Sequence, residues 1–326
     1  MRLMIAPMEG VVDHTMRTLL TSVSKVDRCV TEFVRVNDQL LPPRVFHRYC
    51  PELKQGGVTP SGVPVFVQIL GGDPQVVAEN AARAAELGAA GIDLNFGCPA
   101  KTVNNSNGGS ILLRNPEHVA AIASAARAAV PSSVPVTVKT RLGYEDGALF
   151  EDIVRGIGET GADELTVHAR TKRHGYRPPA YWEEIAIARE LLDIPVIANG
   201  EIWSPDDARR CREVSGCEDL MLGRGALCRP DLPDLIRADD MAEDRAPLRW
   251  EEVLLLVQTY LEATIDAYDA HCVGNPIKQW LVYLRSYYPQ AAILFENIKR
   301  LRDPEALRAQ LAAEVKAAPA VGRSVA

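Results

Sequence analysis

The 326-residue chain has no Cys-x-x-Cys pair and no Gly-x-Gly-x-x-Gly after its first strand-like run. It also has no apolar run approaching the roughly 20 residues that span a bilayer. Each absence removes a class. Without the glycine fingerprint, a Rossmann dinucleotide site has no support. Seven cysteines, an odd number and never closely paired, read as reduced thiols rather than a disulfide framework. Basic excess is lacking too: the net charge is −7, which excludes a generic nucleic-acid coat protein. A local basic patch is still allowed. The start, Met1–Pro7, has one arginine and no long apolar segment or small-residue cleavage site, so the expected location is the cytoplasm. No membrane association, no metal site and a monomer are expected.

What is present is a repeated alternation. Eight β-rich runs cover 3–8, 29–34, 64–70, 91–96, 135–142, 163–170, 194–200 and 219–225. Amphipathic stretches such as PQVVAENAARAAELGA (74–89) and PEHVAAIASAARAAV (116–130) lie between them. Several runs are apolar throughout their centres, as parallel strands covered on both sides require. The pattern predicts an α/β fold, a (β/α)8 TIM barrel, over residues 1–240. No β-run follows residue 225. Residues 239–270 hold nine acids against two Lys/Arg, and 275–302 hold five Lys/Arg against one acid. A smaller all-helical C-terminal domain is therefore expected over 241–318, with a flexible tail at 319–326.

Barrel active sites lie at the carboxyl ends of the strands. Those ends carry Pro7-Met8-Glu9-Gly10, Glu32 and Arg35, Gln68, Asn95 with Cys98, Lys139 with Arg141, His168 with Arg170, Asn199-Gly200-Glu201 and Gly223-Arg224-Gly225. The glycine-bearing turns after the seventh and eighth runs suit a phosphate: backbone N–H groups can approach its oxygens, a helix N-terminus follows, and Arg224 adds charge. Lys139 fits two chemistries, a Schiff-base amine or a fixed charge beside a cofactor. Cys98, in the loop DLNFGCPAKTVNNSNGG, reads locally as a small residue ending a strand. At the mouth of a barrel it reads as a reactive group.

In order, the chain carries APMEGVVD, DLNFGCPAKTV with GGSILL, VKTRLG, HARTKRHGYR, IPVIANGEI and LMLGRGA. This ordered set resembles the tRNA-dihydrouridine synthases, which reduce uridine in tRNA. The stretches TEFVRVNDQLLP, FHRYCPEL and IKQWLVYLR look most like the C subfamily, which acts at uridine 16 of the D loop. The resemblance implies a barrel holding FMN, NADPH (or NADH) as reductant, and a helical domain that helps to bind tRNA. It implies Cys98 as proton donor to C5 of the uracil, with hydride delivered to C6. Pro7, Met8, Glu9, Gln68, Lys139, His168, Asn199, Gly200, Glu201, Gly223 and Arg224 would bind FMN. Arg35, Asn95, Tyr176, Lys278, Tyr283 and Lys299 would bind tRNA, Asn95 through the uracil itself. Arg170, Lys172, Arg173 and Arg177 would add a basic loop. Two positions depart from the subfamily: Pro276 and Lys299 stand where arginines are expected. Lysine keeps the charge without the planar fork, and proline keeps neither. A flavin-free lyase using Lys139 and a non-catalytic tRNA-binding protein are the competing readings.

Overall fold

A computed structural model describes residues 1–269 and 271–317; the expected tail at 319–326 lies outside them. These residues divide into two compact units, Met1–His14 with Val26–Gly223, and Thr15–Lys25 with the chain from Arg224 onward. The division falls at 223/224 rather than at 240/241, and the helix Leu232–Asp240 belongs with the second unit.

The first unit is a closed parallel barrel. Its strands are β1 (Leu3–Ile5), β2 (Arg28–Val30), β3 (Val34–Arg35), β4 (Val65–Leu70), β5 (Gly91–Asn95), β6 (Val136–Arg141), β7 (Glu164–His168), β8 (Val196–Asn199) and β9 (Asp219–Leu222). β1 pairs with β2, β2 and β3 both pair with β4, each later strand pairs with the next, and β9 closes on β1 through Leu3↔Leu220 and Ile5↔Leu222. Nine strands make eight staves, because the expected run at 29–34 is split. Val30 pairs with Phe66 and Val34 with Ile69, so one strand spends an extra residue. That is a bulge. The Thr31 hydroxyl accepts from Gln68 N at 3.0 Å, in place of a ladder carbonyl. The bulge frees Glu32, whose carboxylate accepts from Gly10 N at 2.5 Å.

Side chains alternate along each strand. One set packs outward under the helices, as with Val65, Val67 and Ile69, all buried. The inward set changes character with height. Met4, Ala6, Val30, Phe66, Ile197 and Met221 form an apolar cluster; burying each large member is worth roughly 1.5–3 kcal/mol. At the amino end Glu164 pairs with Arg2 and, at 2.5 Å, with Arg28, whose guanidinium lies 4.4 Å from the Phe66 ring centroid. The carboxyl end is polar.

Three outer helices begin with a cap followed by proline. Asp73, Asn115 and Ser204 accept from Val76 N, His118 N and Asp207 N, and Pro74, Pro116 and Pro205 follow them. Each cap is worth about 1 kcal/mol, and proline costs nothing where no N–H partner exists.

The second unit is helical: Trp250–Ala267, Gly274–Leu284, Gln290–Ile298 and Pro304–Ala317 follow the shorter helices Arg224–Cys228 and Leu232–Asp240. Tyr260 meets Trp280 edge-on at 5.4 Å, and the Trp280 indole donates to Leu227 O at 3.0 Å. Arg308 reaches both oxygens of Glu262, Nε donating to Oε1 at 2.9 Å and Nη2 to Oε2 at 2.7 Å. Among the described residues no helix is long and apolar enough to cross a membrane.

Candidate active site

Strand register gathers the polar residues at the carboxyl end. Asn95 sits beside Lys139, Arg141 beside His168, and His168 beside Asn199. Lys139 Nζ donates to Asn199 Oδ1 at 2.9 Å, and Asn199 Nδ2 donates to Met221 O at 2.8 Å. Enclosure drives the Lys139 amine down to about 8, with Arg141 adding to the fall and Asp93 opposing it. Thr166, the register partner of Lys139, has a buried hydroxyl with no hydrogen-bond partner among the described residues.

Cys98 is pinned through its backbone. Asn95 Oδ1 accepts from both Gly97 N and Cys98 N at 2.9 Å, the local turn that asparagine makes readily. The Cys98 carbonyl accepts from Asn104 Nδ2 at 3.0 Å and from Ser110 Oγ at 2.9 Å. Gly109 has φ +66°, and a Cβ there would stand 2.8 Å from Cys98 O. The Asn- and Gly-rich letters after Cys98 are thus the parts that hold it. Its thiol is half-buried, and all seven cysteines are free. Burial pushes the Cys98 thiol up, while the positive charges of Arg141 and Arg35 pull it back.

Around this loop, Pro7 and Met8 follow β1 half-buried, and Glu9 and Gly10 lie on the exposed lip. The part-enclosed Glu9 carboxyl is pushed up to about 7, first by lost solvation and then by Glu32, with Arg48 opposing. Gln68 is fully buried. Gly200 has φ +121°, and a Cβ there would meet His168 Cδ2 at 2.9 Å. Glu201 also adopts a left-handed φ of +54° and pairs with Arg170 at 2.9 Å. At Gly223 a Cβ would meet nothing nearer than Ala6 and Met8 at 3.9 Å. Arg224 opens the second unit's helix Arg224–Cys228, which has five residues. A helix so short adds little macrodipole, so the helix contribution expected after the eighth run is small.

Arg170 requires a correction. Its side chain is wholly buried, bound to Glu201 and to the Arg177 and Pro179 carbonyls, so it is no part of a basic surface. Arg35 donates to Thr102 O at 3.0 Å, and Tyr176 is 54% exposed. Within the second unit, Lys278 Nζ donates to Leu301 O at 2.5 Å, Lys299 pairs with Glu296, and Tyr283 is half-buried.

Sequence reasoning does not assign Arg141 or Asp93 a role at the site. Arg141 donates to Gly97 O at 2.7 Å, to Thr171 O at 3.2 Å and to Gly175 O at 3.1 Å, and lies 5.2 Å from the Tyr176 ring centroid. It therefore ties the Cys98 loop to the loop bearing Tyr176. Asp93 sits one turn of the pleat below Asn95, fully buried. The signal for both is a charged residue inside an otherwise apolar strand pattern.

A sequence model of the family described as "Dihydrouridine synthase (Dus)" matches residues 4–318. The chain belongs to the dihydrouridine synthase family. Among its relatives is the tRNA-dihydrouridine(16) synthase of Shewanella oneidensis, 51% identical over 94% of this chain and 95% of that protein. The proteins of the same name from Pseudomonas syringae pv. tomato and Vibrio parahaemolyticus are 47% and 50% identical, over 97% and 92% of this chain and 100% and 92% of theirs. A solved structure of a variant of NCR from Zymomonas mobilis shares the barrel, with TM-score 0.52 at 13% identity, over 76% of this chain and 88% of that one. That likeness bears on the fold alone. As a dihydrouridine synthase the chain is an enzyme.

Proposed function

We propose that this dihydrouridine synthase reduces uridine 16 in the D loop of tRNA, in the cytoplasm, with Cys98 as the proton donor. Support for the position comes from the tRNA-dihydrouridine(16) synthases that match nearly the whole chain. The observation that carries the chemical reading is Cys98 at the barrel mouth, its backbone held by the side chains of Asn95, Asn104 and Ser110 and its thiol left half-buried.

FMN fits the donor set beside that thiol. Lys139, His168 and the unpartnered Thr166 hydroxyl offer donors to the polar edge of a flavin. Gly200 and Gly223, with the backbone of Glu201, leave main-chain N–H groups near the mouth for a phosphate. Pro7, Met8, Glu9, Gln68, Asn199 and Arg224 complete the proposed FMN contacts. When bound, FMN supplies the hydride for uracil C6 and is replenished from NADPH.

The chain's own residues supply the rest. The Cys98 thiol, kept protonated by burial, releases its proton to uracil C5, as a general acid must. Arg141 and Arg35 then stabilise the thiolate until it is reprotonated. Asn95 keeps one Nδ2 hydrogen for a uracil carbonyl, because Gln68 takes the other. The exposed Tyr176 ring, steadied by Arg141, offers a stacking face to an unstacked base. Arg35, Lys278, Tyr283 and Lys299 meet the RNA. A flavin-free lyase has no support from the family, which leaves Lys139 as a fixed donor.

The test is a map of dihydrouridine in tRNA from cells lacking this gene, combined with the visible spectrum of the purified protein. Loss at position 16 and a flavin spectrum are expected. Loss confined to another D-loop position rejects the site, and a colourless protein that takes up no FMN rejects the cofactor.

A further inference from the structure

The orientation of the Cys98 loop is determined by a chain of side-chain amides that begins at a buried carboxylate. Backbone N–H groups only donate, so the two that face Asn95 identify its Oδ1 without ambiguity. Asn95 Nδ2 must then point the other way, and it donates to Gln68 Oε1 at 2.7 Å. Gln68 Nε2 is left facing Asp93 Oδ2 at 2.7 Å. The last member has to accept. Asp93 does so on both sides, since Thr137 Oγ1 donates to its Oδ1 at 2.6 Å. The order of donors therefore runs without a break from the Cys98 amide to the barrel interior. A terminal group that donated instead would turn Gln68 over, then Asn95, and would set an NH2 against the Gly97 and Cys98 N–H groups.

We propose that Asp93 is a positioning residue for Cys98, acting through Gln68 and Asn95 to hold the loop in its half-open pose. The inference rests on Cys98 as the proton donor for its consequence in catalysis. The positioning itself is read on the thiol alone, so the two can fail separately. Asp93 is fully buried beneath Gln68. It acts because its oxygen is the acceptor that fixes which way Gln68 faces.

The experiment is alkylation of the purified full-length protein with iodoacetamide, followed residue by residue by peptide mass spectrometry. Cys272, half-exposed in the second unit, is the reference, and the buried Cys29 and Cys50 report unfolding. In Asp93→Leu, which leaves no acceptor below Gln68, the loop is released and Cys98 labels about threefold faster or more, with Cys272 unchanged and Cys29 and Cys50 still protected. Asp93→Asn is the rescue: its Oδ1 still accepts from Gln68 while its Nδ2 donates to Thr137 Oγ1, whose hydrogen turns to Ile92 O. Labelling of Cys98 then returns toward the native rate. If Asp93→Leu exposes Cys29 and Cys50, Gln68→Met decides: it cuts the chain nearer to Cys98 and leaves Asp93 its Thr137 partner. Fast Cys98 labelling there supports the proposal. Native labelling in the folded Asp93→Leu or Gln68→Met variant, or fast labelling in Asp93→Asn, overturns it.

Discussion

Lys139 Nζ reaches across β7 to donate to Asn199 Oδ1 at 2.9 Å, binding the sixth strand to the eighth inside the barrel. The amine is enclosed, and its folded value, about 8, lies below the ordinary 10.5. The unfolded chain therefore holds this proton more tightly than the folded one. The resulting penalty is fully present below about pH 8 and is relieved as pH rises toward 10.5. It is worth about 3 kcal/mol. In flavin-free protein, the stability difference between wild type and Lys139→Met should shift in favour of wild type by this order across that window. Denaturant titrations at several pH values check it, and a difference independent of pH contradicts it.

Gly109 and Gly10 have similar backbone angles, φ +66° and +70°, in different surroundings. Around Gly10 a Cβ finds nothing within 4 Å, whereas at Gly109 it meets Cys98 O. Gly10→Ala should cost about 1 kcal/mol of backbone strain, and Gly109→Ala about 2–3 kcal/mol, since the clash adds to the strain. Only Gly109→Ala should also slow turnover, by displacing Cys98. Denaturation midpoints and single-turnover rates for the two variants separate these effects.

Arg141 serves three carbonyls, those of Gly97, Thr171 and Gly175. Arg141→Lys keeps the charge but cannot fork, so at least one carbonyl loses its partner. We expect a loss of about 2–4 kcal/mol and a fall in kcat larger than any rise in KM, measured by denaturation and steady-state kinetics. Unchanged stability would mean that lysine serves all three.

The alternation of β-runs made the barrel legible, because parallel strands under helices must be apolar for most of their length. The strand ends were legible for the same reason: polar residues there break the pattern. The split second stave was not, since a one-residue bulge leaves composition unchanged and shows only in the partner's register. Arg170 looked like part of a basic surface because its neighbours 172, 173 and 177 are charged. Its pairing with Glu201, thirty-one residues on, is a tertiary fact. Asp93 was hidden in DLNFGCP, where a strand carboxylate is visible but its line of amides to Cys98 is not. The segment Thr15–Lys25 follows the first strand in sequence, and its membership of the second unit depends on contacts with Pro230, Asp234 and Arg237.

Lys278 lies on a basic helical stretch but spends a hydrogen bond on Leu301 O. Its replacement by alanine should weaken tRNA binding and reduce the salt slope of log K by about 1 if the ammonium neutralises one phosphate. Filter binding across a salt series measures this. An unchanged slope moves the RNA surface away from Lys278.

The proposed proton transfer from Cys98 to the uracil is measured most directly by mixing enzyme carrying reduced flavin with tRNA that lacks dihydrouridine and following flavin reoxidation without oxygen. Wild type should reoxidise rapidly at neutral pH and lose rate only above the ordinary thiol value of 9.0, because burial raises the Cys98 thiol. Cys98→Ala should bind the same tRNA and reoxidise slowly, without that alkaline fall. Equal rates for the two proteins would contradict the account.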